Sequence, residues 1–392
     1  MSDFITENNY LDHAATTYVR EEVLEKMLPF FTEKFGNPSS LYDIAQESKN
    51  AIEESREICA QILNCDPAEI YFTSGGSESN NMAIKGLQSS NNIDYRVISS
   101  SVEHHAVIHP IEQLSIRGVD VVFIDVNNEG LINLQTFKEK ISKSTKLVSF
   151  MYVNNETGVI QDLKLISKII KEFQENNESE IIFHSDAVQA PGKLSLDTDI
   201  LGVDLMSISG HKIYAPKGIG LLYKKNGIQI HPLISGGGQE NQLRSGTENV
   251  PYIVAFAEAL RLSDIERKDN EIKMKKLSDL LISTLDQRIG NYKLNSSRNN
   301  CVPGIINLSF PGYEGESIII GLNFKGIYVS SGSACSSASL EPSHVLSSMG
   351  LTKEESLSSI RVSLGIYNNE NHIFEFVNAL EAVLNQLASY KR

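Results

Sequence analysis

The feature that most constrains the fold is an alternation of two patterns along the first two thirds of the chain. Short apolar runs such as EIYFT and RVISS are followed by amphipathic helical patterns, ESNNMAIKGLQ and HHAVIHPIEQLSIRG. Alternating strands and helices are typical of a mostly parallel sheet with helices on both faces. We therefore predict an α/β fold of this kind.

The pattern changes in the last third of the chain. From Pro251 to about Arg288 it indicates one or two long helices, and strand-like and helical segments mix after that. A chain of 392 residues is long enough for more than one domain. We predict a large domain over residues 15–262 and a smaller α+β domain over residues 1–14 and 263–392.

Charge and composition exclude some classes of function. The net charge is −14, which argues against direct nucleic-acid binding because phosphate contacts need a basic surface. No basic leader precedes an apolar core, and no apolar run reaches the roughly 18 residues that span a bilayer. The four cysteines form no C-x-x-C pair, which indicates a reducing compartment and no metal site. We expect a cytoplasmic protein without membrane contact.

A glycine-rich turn follows the strand-like run IYFT. The sequence SGGSESN places Gly76 and Ser77 between this strand and a helix. Ligands of open α/β sheets gather at the carboxyl ends of the strands, and a helix N-terminus presents backbone N–H groups to an anion. The turn therefore predicts a phosphate site, although it lacks the P-loop signature and such turns also occur without a ligand.

Polar side chains follow the other predicted strands at the same edge of the sheet: His104, Asn155, Asp186, Gln189, Ser209, His211 and Lys212. A carboxylate such as Asp186 is costly to bury unless it meets a cation, and Lys212 stands between two apolar strands, where a solvated lysine is not expected. A lysine near a phosphate cradle, with an acid for a ring nitrogen, is what pyridoxal 5′-phosphate requires. We predict that cofactor.

One cysteine stands in an unusual setting. Cys335 lies in SSGSACSSAS, residues 330–339, where no large side chain is present to pack around it. Free cysteines are usually buried, so the stretch indicates either a functional thiol or an exposed cysteine without a role. Small residues have little to hold them in place, and we expect this segment to be a mobile loop.

A resemblance to a known family accounts for these features together. The segments LDHAATT, FGNPSS, FTSGGSESNN, EHHAV, NNETG, DAVQ, SGHKIYAPKGIG, GGGQENQLRSGT, SSGSACSSASLEPSHVL and IRVSLG occur in this order along the chain. They resemble cysteine desulfurases of the NifS/IscS type, which are class-V aminotransferase-like enzymes of pyridoxal-phosphate fold type I. The resemblance covers essentially the whole chain and implies that fold.

The resemblance also implies roles for the residues that match the family's motifs. Lys212 is expected to form the Schiff base, Asp186 to pair with the pyridine nitrogen and Gln189 to donate to O3′ of the ring. His104 is expected to stack on the ring and to help with proton transfer. The phosphate site implied by the resemblance comprises Gly76, Ser77, Ser209 and His211.

Four further positions concern the substrate and the subunits. Asn155 and Arg361 match the residues that hold the substrate carboxylate. The planar guanidinium of an arginine can bind a carboxylate through two parallel hydrogen bonds. Cys335 matches the nucleophile that becomes a persulfide. Thr247, in LRSGT, matches a residue that reaches the phosphate from the other subunit of a homodimer.

The resemblance implies conversion of L-cysteine to L-alanine, with the sulfur passed to an acceptor protein for iron–sulfur cluster assembly or for tRNA or cofactor thiolation. The sequence leaves three alternatives open: a selenocysteine lyase, a different class-V enzyme such as a transaminase, and a cofactor-binding scaffold without turnover. A transaminase has no use for Cys335, and the presence of both Lys212 and Cys335 disfavours a scaffold.

Overall fold

The structure is a computed structural model that describes residues 9–87, 93–297, 299–331 and 341–389. Cys335 and residues 332–339 of the expected loop lie outside the described residues. The strands are β1 Asn9–Tyr10, β2 Ile70–Thr73, β3 Arg96–Ser100, β4 Asp120–Ile124, β5 Thr145–Ser149, β6 Ile182–Asp186, β7 Leu205–Ser209, β8 Gly220–Lys224, β9 Lys293–Leu294, β10 Ile305–Ser309, β11 Ile327–Tyr328 and β12 Ser359–Ser363.

The helices are distributed between and after these strands. They are α1 Glu21–Met27, α2 Pro29–Thr32, α3 Asp43–Leu63, α4 Gly76–Lys85, α5 His105–Ile116, α6 Leu134–Lys140, α7 Leu163–Asn177, α8 Thr198–Leu201, α9 Val250–Ile265, α10 Arg267–Arg288, α11 Gly315–Asn323, α12 His344–Ser348, α13 Lys353–Leu357 and α14 Glu370–Ser389. Short 3₁₀ turns occur at Pro67–Glu69, Gly210–Lys212 and Gln239–Gln242.

A central sheet organises the larger part of the molecule. Within the described residues its strand order is β2-β8-β7-β6-β5-β3-β4. The pairs from β7 through β4 are parallel, whereas β8 runs antiparallel to both β7 and β2. The mostly parallel α/β fold predicted from the sequence is confirmed.

The strands are apolar on both faces because helices cover both faces. In the parallel strand β3, Ile98 belongs to one buried cluster and the neighbouring Val97 belongs to another. Neighbouring side chains of a strand point to opposite faces, so both faces are packed, as expected of parallel sheets. Helices α3 and α9 pack together, and α4 packs against α5.

A second, smaller core lies in the C-terminal third. The antiparallel sheet β12-β10-β9 and helices α10, α11 and α14 supply most of it. The N-terminal arm joins this part, because β1 pairs with β11 and Leu11 is buried in the same cluster. The division at residues 14/15 and 262/263 stays a prediction.

None of the helices in the described part of the chain is both long enough and apolar enough to cross a lipid bilayer.

Candidate active site

A cavity of about 590 Å³ opens at the carboxyl ends of β3, β6 and β7. Its volume falls in the range of small-molecule sites. Its lining includes ten residues that the sequence predicted, namely Gly76, Ser77, His104, Asn155, Asp186, Gln189, Ser209, His211, Lys212 and Arg361. Thr247 is exposed and is not among the lining residues. Cys335 lies outside the described residues.

The glycine turn between β2 and α4 packs closely against the neighbouring backbone and side chains. Gly75 has φ of +153°, and a Cβ on Gly76 would lie 2.7 Å from Cγ2 of Val188. A Cβ on Gly220, in the adjacent strand β8, would lie 2.6 Å from Cα of Gly75. The turn is therefore tightly packed, and it lines the cavity, where the N–H groups at the start of α4 favour an anion.

Asp186, the last residue of β6, provides a buried carboxylate. It is 5% exposed, and its oxygens accept hydrogen bonds from Nδ2 of Asn80 at 2.7 Å and from the backbone N–H of Val188 at 3.0 Å. These two neutral donors orient the carboxylate. A buried anion of this kind is suited to a cationic partner in the cavity.

The N-terminal arm forms the wall beside Lys212. Nζ of Lys212 donates to the carbonyl oxygens of Ala14 at 2.7 Å and Ala15 at 2.6 Å. Nε2 of Gln189 also donates to the Ala14 carbonyl, at 2.9 Å. One short backbone segment therefore positions both side chains, although they stand on different elements.

Two imidazoles of the cavity are held neutral. Nδ1 of His104, at the N-terminus of α5, accepts the backbone N–H of Ala106 at 3.1 Å. Burial lowers the pKa of His104, and the charge of Lys212 adds to this effect against the opposing charge of Asp186. Burial, together with the charges of Lys212 and Lys217, lowers the pKa of His211 to about 4.

Arg361 on β12 provides a guanidinium that is 2% exposed. Its Nη1 donates to the backbone oxygen of Asn155 at 2.9 Å, and its Nη2 donates to Asp12 at 2.7 Å and to Ser330 at 2.8 Å. Its Nε is buried without a hydrogen-bond partner among the described residues. The remaining donor and the cationic charge suit the carboxylate of a small ligand.

The sequence analysis did not identify several residues that shape this site. Asn80 orients Asp186, Asp12 pairs with Arg361, and His344 lines the cavity. Glu103 does not line the cavity, but its backbone oxygen lies 2.9 Å from Nε2 of His344. Glu103 is fully buried, and burial raises the pKa of its carboxyl to about 8. Glu103 follows an apolar strand, as Asp186 does, so the rule that marked Asp186 would have found it.

His105 is a further residue of the site that the sequence analysis did not identify. It lines the cavity and stacks on His344 with ring centroids 4.8 Å apart. Its partner in the stack is more than two hundred residues distant in the chain, and no local signal reports it.

The donor set fits pyridoxal 5′-phosphate. The glycine turn, with Ser77 and Ser209 beside it, suits a phosphate, and the Asp186 carboxylate suits a protonated ring nitrogen. Lys212 supplies the amine that this cofactor requires. Oδ1 of Asn80, which also lines the cavity, is a buried acceptor without a partner in the described part of the chain.

Comparisons with known proteins agree with this chemistry. The aminotransferase class-V family matches residues 9–376. A protein of Dictyoglomus turgidum named cysteine desulfurase IscS is 45% identical over 379 residues, covering 96% of this chain and 95% of that relative. The solved structure of a NifS-like protein is 35% identical and superposes with a TM-score of 0.90, over 96% of this chain and 99% of that one.

A third relative was solved under the description SspA in complex with cysteine. It is 36% identical, has a TM-score of 0.78 and matches 92% of this chain and 100% of its own. All these matches extend over nearly the whole length of both partners. The chain belongs to the aminotransferase class-V family, and within it to the cysteine desulfurases of the NifS/IscS type.

Proposed function

We propose that this protein is a pyridoxal-phosphate-dependent cysteine desulfurase that converts L-cysteine to L-alanine and receives the sulfur on Cys335. The observation that carries the proposal is the meeting of Lys212, Asp186 and Arg361 at one cavity. The amine of Lys212 and the buried carboxylate of Asp186 suit the cofactor. The buried guanidinium of Arg361 suits the carboxylate of an amino acid. The relatives named cysteine desulfurase support the choice of substrate.

The cofactor, when bound, draws electron density from the α-carbon of the amino acid attached to it. We assign Lys212 to hold it covalently, Asp186 to its ring nitrogen, Gln189 to its O3′ and His104 to the face of its ring. The phosphate is assigned to the turn before α4 and to its neighbours, namely Gly76, Ser77, Ser209 and His211.

Lys212 is also assigned to move the first proton. Its amine, once released from the cofactor, takes the proton of the substrate's α-carbon, for which the amine has to be neutral. The carbonyl oxygens of Ala14 and Ala15 lie 2.7 Å and 2.6 Å from Nζ, where they orient the released amine.

Arg361 and Asn155 are assigned to the carboxylate of L-cysteine. The guanidinium is already anchored by Asp12 and by the backbone oxygen of Asn155, so it loses little freedom when a ligand binds. Its buried Nε is the donor that a carboxylate would satisfy.

Cys335 is assigned to accept the sulfur. Its thiolate forms a bond to the sulfur of the bound cysteine while the carbon–sulfur bond breaks, and the electron pair stays on carbon. Protonation of that carbon yields alanine, and the persulfide on Cys335 then serves an acceptor protein of iron–sulfur cluster assembly or of tRNA or cofactor thiolation.

A homodimer completes this proposal. Thr247 is exposed and outside the lining of its own cavity, as expected of a residue that serves the cofactor phosphate of a second copy. Large apolar side chains are exposed around α1 to α3, namely Leu28, Phe31, Phe35, Leu41 and Tyr42. Such a concentration of exposed apolar side chains is typical of an interface between proteins.

The test is turnover of L-cysteine by the purified protein loaded with pyridoxal 5′-phosphate in the presence of a thiol reductant. We expect alanine and sulfide in equal amounts. Cys335→Ala should retain the visible absorption of the cofactor and lose sulfide release, whereas Cys301→Ala, which removes another free cysteine, should change neither. Normal sulfide release by Cys335→Ala would contradict the assignment of the nucleophile.

A further inference from the structure

We propose that His344 is the base that accepts the proton of a thiol in the active-site cavity. The inference rests on the proposed function and adds a residue to it. His344 begins α12 and lines the same cavity as Lys212 and Arg361. Nothing in the sequence motifs distinguishes it from a packing residue.

Hydrogen bonds of the preceding residue, Ser343, hold His344 in position. The hydroxyl of Ser343 donates to Oε2 of Glu156 at 2.6 Å and accepts the backbone N–H of Leu346 at 3.2 Å. Both Ser343 and Glu156 are buried. The start of α12 is therefore anchored to the wall of the cavity, and Glu156 itself lines the cavity.

A hydrogen bond determines which nitrogen of His344 carries the hydrogen. Nε2 lies 2.9 Å from the backbone oxygen of Glu103. A carbonyl oxygen can only accept, so Nε2 is the donor. The neutral ring therefore keeps its lone pair on Nδ1, which is the form that a general base requires.

His344 belongs to a stack of three imidazoles. Its ring lies 4.8 Å from that of His105 at 27°, and His105 lies 4.8 Å from His109 at 9°. Rings stacked in this way do not converge on a common point, and no group of three candidate metal ligands is found among the described residues. The contact with His105 holds the ring plane of His344 in place.

Burial favours the neutral form of His344 and of His105. It lowers the pKa of His344, with a smaller effect from the charge of His109 and an opposing one from the hydrogen bond to Glu103. It also lowers the pKa of His105, which the charges of His344 and His109 lower further and those of Glu156 and Glu112 raise. The neutral form of His344 is therefore available to accept a proton.

His104 is not suited to the same role. Its Nδ1 accepts the backbone N–H of Ala106, so in the neutral ring the hydrogen is on Nε2. In the neutral rings, Nε2 of His104 is therefore a donor, whereas Nδ1 of His344 is an acceptor. The two histidines divide proton donation and proton acceptance between them.

Proton balance in the proposed reaction requires such an acceptor. Two thiols meet, that of L-cysteine and that of Cys335, and one of them has to be ionised before a sulfur–sulfur bond forms. The S–H bond breaks, its electron pair stays on sulfur, and the proton goes to Nδ1 of His344. The thiolate and the imidazolium stabilise each other, and the proton is later returned to the carbon that has lost sulfur.

The first test compares the pH dependence of kcat/KM for L-cysteine. His344→Gln should lower kcat/KM at pH 7 by roughly 100-fold. As pH is raised toward the ordinary thiol pKa of about 8.5, this loss of kcat/KM should become about tenfold smaller per pH unit, because hydroxide then ionises the thiol without His344. His231→Gln, an exposed histidine away from the cavity, is the control with an unchanged profile.

A constant loss at every pH would show that His344 has a purely structural role and would overturn the inference. Because each assay also measures alanine and sulfide, failure of the proposed function would appear as absent products in the wild-type protein at all pH values. The two failures are thereby separated.

The second test needs no turnover. The probe is 3-mercaptopropionate, which has the carboxylate and thiol of cysteine and no amine, and it is added to holoenzyme with ¹⁵N-labelled histidine. We expect the Nδ1 signal of His344, assigned by its loss in His344→Gln, to move to the protonated position at pH 7. Propionate should leave it unprotonated. An Nδ1 that stays unprotonated with both probes would overturn the inference.

Discussion

Arg361 and Asp12 form a buried ion pair between residues that are 349 positions apart in the chain. Nη2 of Arg361 lies 2.7 Å from Oδ1 of Asp12, and the two side chains are 2% and 15% exposed. The pair ties the N-terminal arm to β12 at the edge of the cavity. It holds the guanidinium that we assign to the substrate carboxylate.

Asp12→Asn should destabilise the protein substantially. It removes the charge that compensates a buried guanidinium, which typically costs about 3–5 kcal/mol. The free energy of unfolding in urea measures the effect. Glu370→Gln is the matched control, because its pair with Lys276 is exposed at 52% and 73% and should contribute at most about 1 kcal/mol. Equal losses in the two variants would refute the role given to the buried pair.

Gly220→Ala should impair cofactor binding. The added Cβ would lie 2.6 Å from Cα of Gly75 and 2.8 Å from the carbonyl oxygen of Ile208, both backbone atoms. The phosphate turn therefore has to move, and we expect the affinity for pyridoxal 5′-phosphate to fall at least about tenfold, or 1.4 kcal/mol.

Equilibrium dialysis of the apoprotein with the cofactor measures this affinity. Gly238→Ala is the control, since a Cβ there meets no atom within 4 Å and its φ of −83° is open to alanine. Unchanged affinity in Gly220→Ala would mean that the turn accommodates the methyl group without losing its anion site.

Asp186→Asn should slow turnover by roughly 100-fold or more while the cofactor stays bound. The substitution preserves shape but removes the charge that favours a protonated ring nitrogen, and electrostatic stabilisation of this kind is a large contribution in active sites. Visible absorption measures occupancy, and the initial rate of alanine formation measures kcat.

Asp204→Asn is the matched control for this prediction. Asp204 also accepts a backbone N–H, from Phe183 at 2.9 Å, and it precedes β7 at the opposite end of the sheet. It does not line the cavity. A comparable loss of kcat in both variants would show that Asp186 acts only through stability.

Glu103 should make the protein less stable as pH rises. Burial raises the pKa of its carboxyl to about 8, well above the usual value of about 4.3 in the unfolded chain. Between these values the folded state binds one proton more than the unfolded state. The contribution of the protonated Glu103 carboxyl to the free energy of unfolding is therefore complete below about pH 4. It is lost progressively as pH rises through 8.

Glu103→Gln should abolish this dependence, because the amide cannot ionise and its oxygen still accepts from Ser100 and from the N–H of Met151. Urea unfolding of both proteins from pH 5.5 to 8.5 measures the difference. As pH rises, the free energy of unfolding of the variant should increase relative to that of the wild-type protein. This change should approach, and not exceed, about 1.4 kcal/mol per pH unit. Parallel stability curves would contradict the prediction.

The sequence by itself determined the central sheet and much of the cavity. Apolar runs and amphipathic patterns are local, and their periods report strand and helix directly. Once the strands are placed, the rule that ligands lie at their carboxyl ends selects Asp186, Ser209 and Lys212. Nine of the ten predicted residues that line the cavity follow from this rule, whereas Arg361 was implied by the family resemblance.

Only the tertiary structure decided which partners those residues have. The carbonyl oxygens of Ala14 and Ala15 reach Lys212 from nearly two hundred residues away, and Asp12 reaches Arg361 from the other end of the chain. The raised pKa of Glu103 and the stack of His105 on His344 depend on burial and distance. These are properties of packing between elements, and no local pattern in the sequence encodes them.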